Sequence, residues 1–240
     1  MRGGHSVNES TLLLQDQAYQ QIKAAINEGE FNRDEIFSLN GLAKKLNMSK
    51  TPVRDAVQRL SREGLLDILP SRGIRIAQYT PHEIVELFQT RFVITDFCCT
   101  MLALRHKENP DHPIFRSMEE ALQEQEQITD GDFGKFFEAD WKFHMMIIDA
   151  CDNAFFTEDQ HNRKEVFRHF AFQCEPHNNT VTAAISEHRE IYEGICEDNI
   201  LKCRLASLKH LDRTLRGNLQ VTEEVEEYIR KMLPVELLRG

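Results

Sequence analysis

Apolar residues recur at helical spacing along most of the chain, and after residue 65 the rhythm briefly shortens to two. Leu39, Leu42, Ala43 and Leu46 form one short stripe, Asn47-Met48 makes a turn, and Val53, Ala56, Val57 and Leu60 form a second stripe. Ser49 is placed to accept a bond from a free amide of that second helix, and Pro52 falls early, where a missing N–H costs little. Glu63-Gly64 is a stop signal. Leu66 and Ile68 then alternate on one strand and Ile74 and Ile76 on another, joined at a hairpin tip by Pro70-Ser71-Arg72-Gly73. The pattern predicts a helix-turn-helix followed by a wing.

From residue 80 onward the spacing is helical throughout. Thr80 caps, Pro81 takes the first position and Glu83 completes a capping box. Helices are expected near 81–105, 114–129, 132–151, 154–172, 181–196, 200–216 and 222–233, with Asp111-His112-Pro113, Asp130-Gly131-Asp132, Cys151-Asp152-Asn153 and Asp198-Asn199 as breaks. The predicted fold is mainly α, an N-terminal winged helix-turn-helix followed by an all-α helical bundle. Its expected parts are an N-terminal tail over 1–14, small and polar through Ser6, the winged domain over 15–78 and the bundle over 79–240, whose last stretch, 217–240, either extends a dimer contact or packs on its own domain.

Charge sharpens the division. Residues 1–80 hold eleven Lys/Arg against nine Asp/Glu, a balance of +2, and the remainder holds eighteen against thirty, a balance of −12. DNA repels the acidic part, so nucleic-acid contact falls to basic side chains of the first. Lys50, Thr51, Arg54 and Gln58 are the polar positions of the second helix of the motif. A helix of this kind suits a major groove, where Arg pairs with guanine O6 and N7. Arg72 and Gly73 at the wing tip suit a backbone approach to the minor groove, or Gly73 serves the turn alone. An ordinary amphipathic helix and hairpin is the other reading of the same pattern.

The bundle carries discordant polar residues. Asp140 and His144 lie one turn apart within the stripe Phe133, Phe136, Phe137, Phe143 and Ile147. Burying a carboxylate there is costly unless it is paired or bound to a metal. His188 interrupts the stripe Ile185, Ile191, Tyr192 and Ile195, and His210 shares a face with Cys203, Ala206 and Ser207. One acid and three imidazoles suit Zn²⁺ or another divalent transition metal, with nickel and manganese as alternatives. An Asp–His hydrogen bond or an Asp–Arg pair in a tolerant core is the competing reading, and spacing alone does not show that the helices converge. Arg91 stands among Leu87, Ile94 and Cys98, where a guanidinium calls for an anion: a bound carboxylate or an acidic neighbour.

Two resemblances join these observations. Leu42 to Ala56, Leu60, Glu63-Gly64-Leu65 and Arg72-Gly73 resemble the DNA-binding domain of GntR-family bacterial regulators, whose first helix matches Tyr19, Ile22, Ile26 and Gly29. The family's base-reading Arg falls on Arg54; Lys50 stands where it has a second Arg, and Asn40 where it has a third, which implies a different operator sequence. The bundle is similar to the FCD ligand-binding domain of the FadR subfamily. That resemblance implies a metal held by Asp140, His144, His188 and His210, and a small carboxylate effector meeting Arg91, with Asn153 matching a family Asn that otherwise caps a helix. Where the family often has Glu four residues after Arg91, this chain has Thr95. The resemblance also implies a homodimer on a double-stranded DNA operator.

The six cysteines form no CxxC pair and read as buried free thiols of a reducing cytoplasm. No uninterrupted apolar run of about 18 residues and no secretory h-region is present, so a cytoplasmic, membrane-free protein is expected. The expected function is a ligand-responsive transcription regulator and not an enzyme. The alternative is a metal-dependent hydrolase or lyase with a DNA-binding appendage, for which Asp149 and Glu187 lie near the proposed ligands without being marked as a base.

Overall fold

The computed structural model describes residues 6–32, 34–128, 132–173 and 180–239. They fall into two compact units, Met1–Gln78 with Asn162–His169, and Tyr79–His161 with Phe170–Gly240.

The first unit contains α1 (Ser6–Asn27), α2 (Leu39–Lys45), α3 (Lys50–Arg62) and the hairpin β1 (Leu66–Leu69) and β2 (Gly73–Ile76). The expected tail is therefore already helical from Ser6. Tyr19, Ile22 and Ile26 of α1 are buried with Leu42, Val53, Val57 and Leu60 in one core. Burial of each such side chain contributes about 1.5–3 kcal/mol, which is how α3 is held with its other face outward. Ser38 caps α2, its Oγ accepting from the Gly41 amide at 2.9 Å. Ser49 occupies the corresponding position before α3 in an extended conformation, but its side chain makes no capping bond; the α3 stripe holds the helix without it.

Two expectations about the wing change. Leu66 pairs with Ile76 and Ile68 with Ile74, yet Ile68 remains 47 % exposed while Ile74 is buried. Ile74 is covered because Phe37 joins the hairpin as a third, one-residue strand: the Phe37 amide donates to Ile74 O at 2.7 Å and the Ile74 amide donates to Phe37 O at 2.9 Å. Gly73 is the first residue of β2, paired with Leu69, not the tip. Its φ of +133° disfavours any side chain, and a Cβ there would lie 2.5 Å from Phe37 O.

The rest of the chain is helical: α4 (Pro81–Glu108), α5 (Pro113–Glu126), α6 (Phe133–Asp149), α7 (Ala154–Gln173), α8 (Thr180–Cys196), α9 (Ile200–Gly217), α10 (Glu223–Met232) and a 3₁₀ turn, Val235–Arg239, all in the second unit except Asn162–His169 of α7. The capping box at Thr80 and Glu83 forms as the sequence predicts. α4 is the central helix, packed on α6, α8, α9 and α10. The reading from uninterrupted apolar runs passes over α4, which by length and composition is apolar enough to cross a membrane, at mean hydropathy 1.3. In this fold Val85, Phe88, Cys98, Cys99 and Leu102 of α4 are core residues.

α8 and α9 approach closely because Gly194 has no side chain; a Cβ there would meet Cys203 N at 2.5 Å. α10 packs back on its own unit. Gln89 Nε2 donates to Met232 O at 2.8 Å, and the Tyr228 hydroxyl donates to Glu86 Oε1 at 2.9 Å. The five cysteines among the described residues are free thiols; Cys174 lies outside them, as do Asp130 and Gly131 of the expected break after α5.

Gly73→Ala is expected to destabilise the chain by about 1–3 kcal/mol through forced backbone strain and to weaken DNA binding in parallel. Urea unfolding of the full-length variant measures this; an unchanged transition would mean the Phe37 contact does not constrain the wing.

Candidate metal centre and nucleic-acid interface

Three helices, α6, α8 and α9, bring four of the discordant residues together. Asp140, His144, His188 and His210 each present one ligand atom, and all four atoms lie within 4.8 Å of one another. His144 Nε2 and His210 Nε2 are 3.0 Å apart, and Asp140 Oδ1 lies 3.3 Å from His188 Nε2 and 3.8 Å from His144 Nε2. Ligand atoms about 2.0–2.1 Å from one Zn²⁺ lie about 2.9–3.4 Å apart at angles between octahedral and tetrahedral. Most of these spacings fall in that range. The three imidazoles are buried and Asp140 is partly so. His188 Nε2 is buried and makes no well-aligned hydrogen bond, its polar neighbour being the Asp140 carboxylate at 3.3 Å.

The outer ring atoms fix which nitrogens face inward. His188 Nδ1 lies 2.8 Å from Gln125 Oε1, and Gln125 Nε2 donates to Ala139 O at 3.0 Å, which assigns the Gln125 oxygen as acceptor and the His188 Nδ1–H as donor. His210 Nδ1 lies 3.0 Å from Glu187 Oε2, and Glu187 also accepts from Arg213 Nε at 2.8 Å. Phe143 stacks on His188 with ring centroids 4.8 Å apart. Such supporting bonds orient ligand imidazoles and raise their basicity. Gln125 escaped the sequence reading although its signal was present: it falls four residues after Ala121 and seven after Met118 on the buried face of α5.

Electrostatics follow from burial and proximity. Burial alone would raise the Asp140 carboxyl, but His144, His188 and His210 outweigh it and hold it well below the usual carboxylate range. Burial pushes His144 well below the usual imidazole range, and Arg91 adds to the shift. His210 is lowered to about 4, by burial first and then by His188, against its bond to Glu187. Burial raises Glu187, but the hydrogen bonds from His210 and Arg213 prevail and bring it to about 2. At neutral pH the centre therefore holds a carboxylate beside neutral imidazoles at His144 and His210, the protonation state that ligates metal.

Arg91 is buried on α4, its guanidinium carbon 5.2 Å from the Trp141 ring centroid and near the Asp140 charge. Asn153 is elsewhere in its chemistry: its Oδ1 accepts from the amides of Phe155 and Phe156 at 3.1 and 3.4 Å, capping α7. Asp149 accepts from the Thr157 hydroxyl at 2.8 Å.

In the first unit, Lys50, Thr51, Arg54 and Gln58 are exposed along α3, and Arg72 is exposed in the wing. Among the described residues no ion pair engages Lys50, Arg54 or Arg72. Arg59 pairs with Asp16 and Glu63, Lys45 with Glu30 and Arg75 with Asp67.

A wing beside an exposed basic helix, with a helical unit that holds a buried donor cluster, is the arrangement of a DNA-binding regulator with a second, helical domain. The FCD domain model matches residues 86–213, and that of the bacterial regulatory proteins of the gntR family matches residues 14–76. The chain belongs to the GntR family, in its FadR-like subfamily with an FCD domain. It is 25 % identical over 213 residues to the uncharacterized HTH-type transcriptional regulator YdhC of Bacillus subtilis (strain 168), covering 88 % of this chain and 93 % of that one. To the gluconate operon transcriptional repressor of Bacillus licheniformis it is 23 % identical, covering 86 % and 81 %. A putative GntR transcriptional regulator from Rhodococcus sp. RHA1 shares the fold at TM-score 0.65 and 17 % identity, over 87 % of this chain and 99 % of that one. These families and relatives are transcription regulators, not enzymes.

In the metal-stripped protein, His210 takes up its proton near pH 4 when folded and near its ordinary 6.5 when unfolded. The unfolded state then binds more protons between those values, so stability is full above about pH 6.5 and falls as the pH drops towards 4. Denaturant unfolding of the stripped chain across this window is expected to show that decline; a flat profile would contradict the buried neutral imidazoles.

Proposed function

We propose that this chain acts in the bacterial cytoplasm as a homodimeric transcription regulator whose sensing domain holds one divalent metal ion and a small carboxylate effector. The reading rests on one observation above the others: four ligand atoms within 4.8 Å of one another, three of them on buried imidazoles. Asp140, His144, His188 and His210 would hold the ion, zinc first by its ligand preference, with nickel or manganese as alternatives. A bound ion supplies a concentrated positive charge with coordination positions left for an oxygen ligand. The chain's own part is orientation: Gln125 and Glu187 set His188 and His210, and Arg91 offers a planar fork for a carboxylate. Asn153 contributes the α7 cap. Two of the relatives are repressors of gluconate operons, and gluconate is a carboxylate.

The DNA side rests on Arg54 as base reader and on Lys50, Thr51, Gln58 and Arg72 as its flanking contacts, because these positions are exposed and their cations are left out of the ion pairs that occupy Arg59 and Arg75. Gly73 contributes through wing geometry. The dimer rests on α4, whose outer face exposes Val93, Phe97, Met101 and Leu104 at 43–59 %, a run at helical spacing that a second copy of the chain would cover. Two recognition helices so joined suit a pseudo-palindromic operator.

Metal content of the purified parent, His188→Ala and His210→Ala tests the centre. The parent is expected to carry about one equivalent and both variants to lose most of it; full occupancy in both would overturn the four-donor site. On the DNA side, Arg54→Ala is expected to cost about 1–3 kcal/mol of specific binding. Lys50→Ala is expected to weaken all sequences alike and flatten the salt dependence. Titration of an operator recovered by genomic footprinting, at several salt concentrations, checks both; parent-like selectivity in Arg54→Ala would remove α3 from base reading.

A further inference from the structure

Two cysteines of the second unit meet where α4 passes the end of α6. Cys98, in the middle of α4, is fully buried, and Cys151, in the turn after α6, is half-buried. Both are free thiols, and they are hydrogen-bonded to one another. Two contacts hold the elements that carry them. The Arg105 guanidinium of α4 lies 3.7 Å from the carboxylate of Asp152, the residue after Cys151. The Phe97 ring, next to Cys98 in the chain, meets Phe156 of α7 edge-on with centroids 6.0 Å apart.

The backbone fixes Cys151 against α4. Its amide donates to Ile148 O at 3.1 Å, that of Asp152 donates to Asp149 O at 3.0 Å, and Asp152 turns the chain at a φ of +52°. Cys98, Leu102 and Arg105 are spaced by four and three residues and share one face of α4. Cys151 is thus met from that face by a thiol and a cation. The bond from Cys98, and after it the Arg105 charge, hold the Cys151 thiol below its usual range against burial and the Asp152 carboxylate. The same bond and burial raise Cys98. The thiolate is the nucleophilic form of cysteine, and the more accessible of the two sulfurs is the one that favours it. Of the neighbouring cysteines, Cys99 is fully buried and Cys203 donates its S–H to Ile200 O at 3.2 Å.

We infer that Cys98 and Cys151 form a dithiol site that reacts stoichiometrically with hydroperoxides, Cys151 attacking and Cys98 resolving. The Cys151 sulfur attacks one peroxide oxygen; an S–O bond forms, the O–O bond breaks, and the leaving oxygen takes a proton to become water or an alcohol. Cys98 then attacks the Cys151 sulfenic acid; the S–S bond forms at about 2.05 Å, the S–O bond breaks, and the hydroxyl departs with the Cys98 proton as water. Two thiols are oxidised by two electrons and one hydroperoxide is reduced. A dithiol reductant reverses the bond by exchange, so the pair rests as thiols in a reducing compartment.

The test uses the full-length protein, reduced, freed of reductant and treated with hydrogen peroxide or tert-butyl hydroperoxide. It is then alkylated in denaturant and digested without reduction. The reduced chain offers six thiols to alkylation. The oxidised chain is expected to offer two fewer, to yield a Cys98–Cys151 linked peptide by mass spectrometry, and to recover fully with dithiothreitol. Cys98→Ser is expected to stop at a Cys151 sulfenic acid that dimedone captures, and Cys151→Ser to slow thiol loss about tenfold. Retention of all six thiols in the parent overturns the inference, and that measurement needs no variant to fold. Linkage of Cys151 to Cys99 or to a second chain, or equal thiol loss in the parent and Cys151→Ser, also overturns it.

Discussion

The helical FCD domain depends on how closely two helices approach. Gly194 on α8 lies where a single carbon would strike the Cys203 backbone of α9. About two turns from that contact on each helix, the same register brings His188 and His210 together, with ring centroids 4.5 Å apart. Interiors pack at crystal-like density and pass small displacements along rigid elements. The separation of two imidazoles is therefore set by a residue with no side chain at all. Lysines 202 and 209 fasten the outer edge of this pair, each to acidic residues of α8 or the turn after it.

Around that pair the polar groups are arranged in layers. Glu187 is bonded on one side by His210 and on the other by Arg213, so its charge is satisfied before it touches the centre. Gln125 is held by a backbone carbonyl and so presents oxygen, not nitrogen, to His188. A buried polar network in which members lack partners is worse than an apolar core. Here Gln125 and Glu187 complete the outer sides of His188 and His210, while His144 Nδ1 is buried without a hydrogen-bond partner.

Much of this was legible in the sequence because periodicity reports burial directly. The seven bundle helices, the two helices of the motif and the hairpin follow from apolar spacing, and Asp140, His144, His188 and His210 stood out because they broke it. What escaped depends on neighbours remote in sequence. Ile68 is exposed because the cover supplied by Phe37 falls on Ile74 alone. Gly73 is constrained by a carbonyl 36 positions away. Ser49 has the right residue type for a cap, yet α3 stands on its buried stripe. Gln125 breaks the buried face of α5 and Gly194 looks ordinary in α8, but the partner of each lies across a seam that no local pattern describes.

α4 carries two unrelated surfaces on one rod. Arg91 and Thr95 face inward, and Val93, Phe97 and Met101 face outward, interleaved within three turns. Each residue turns a helix by about 100°, so the inward and outward sets are locked in phase. Substitutions can alter either surface independently, but inserting or deleting one residue near position 92 would rotate everything after it and misplace both. The segment should accordingly accept changes of residue type over evolutionary time while keeping its length fixed.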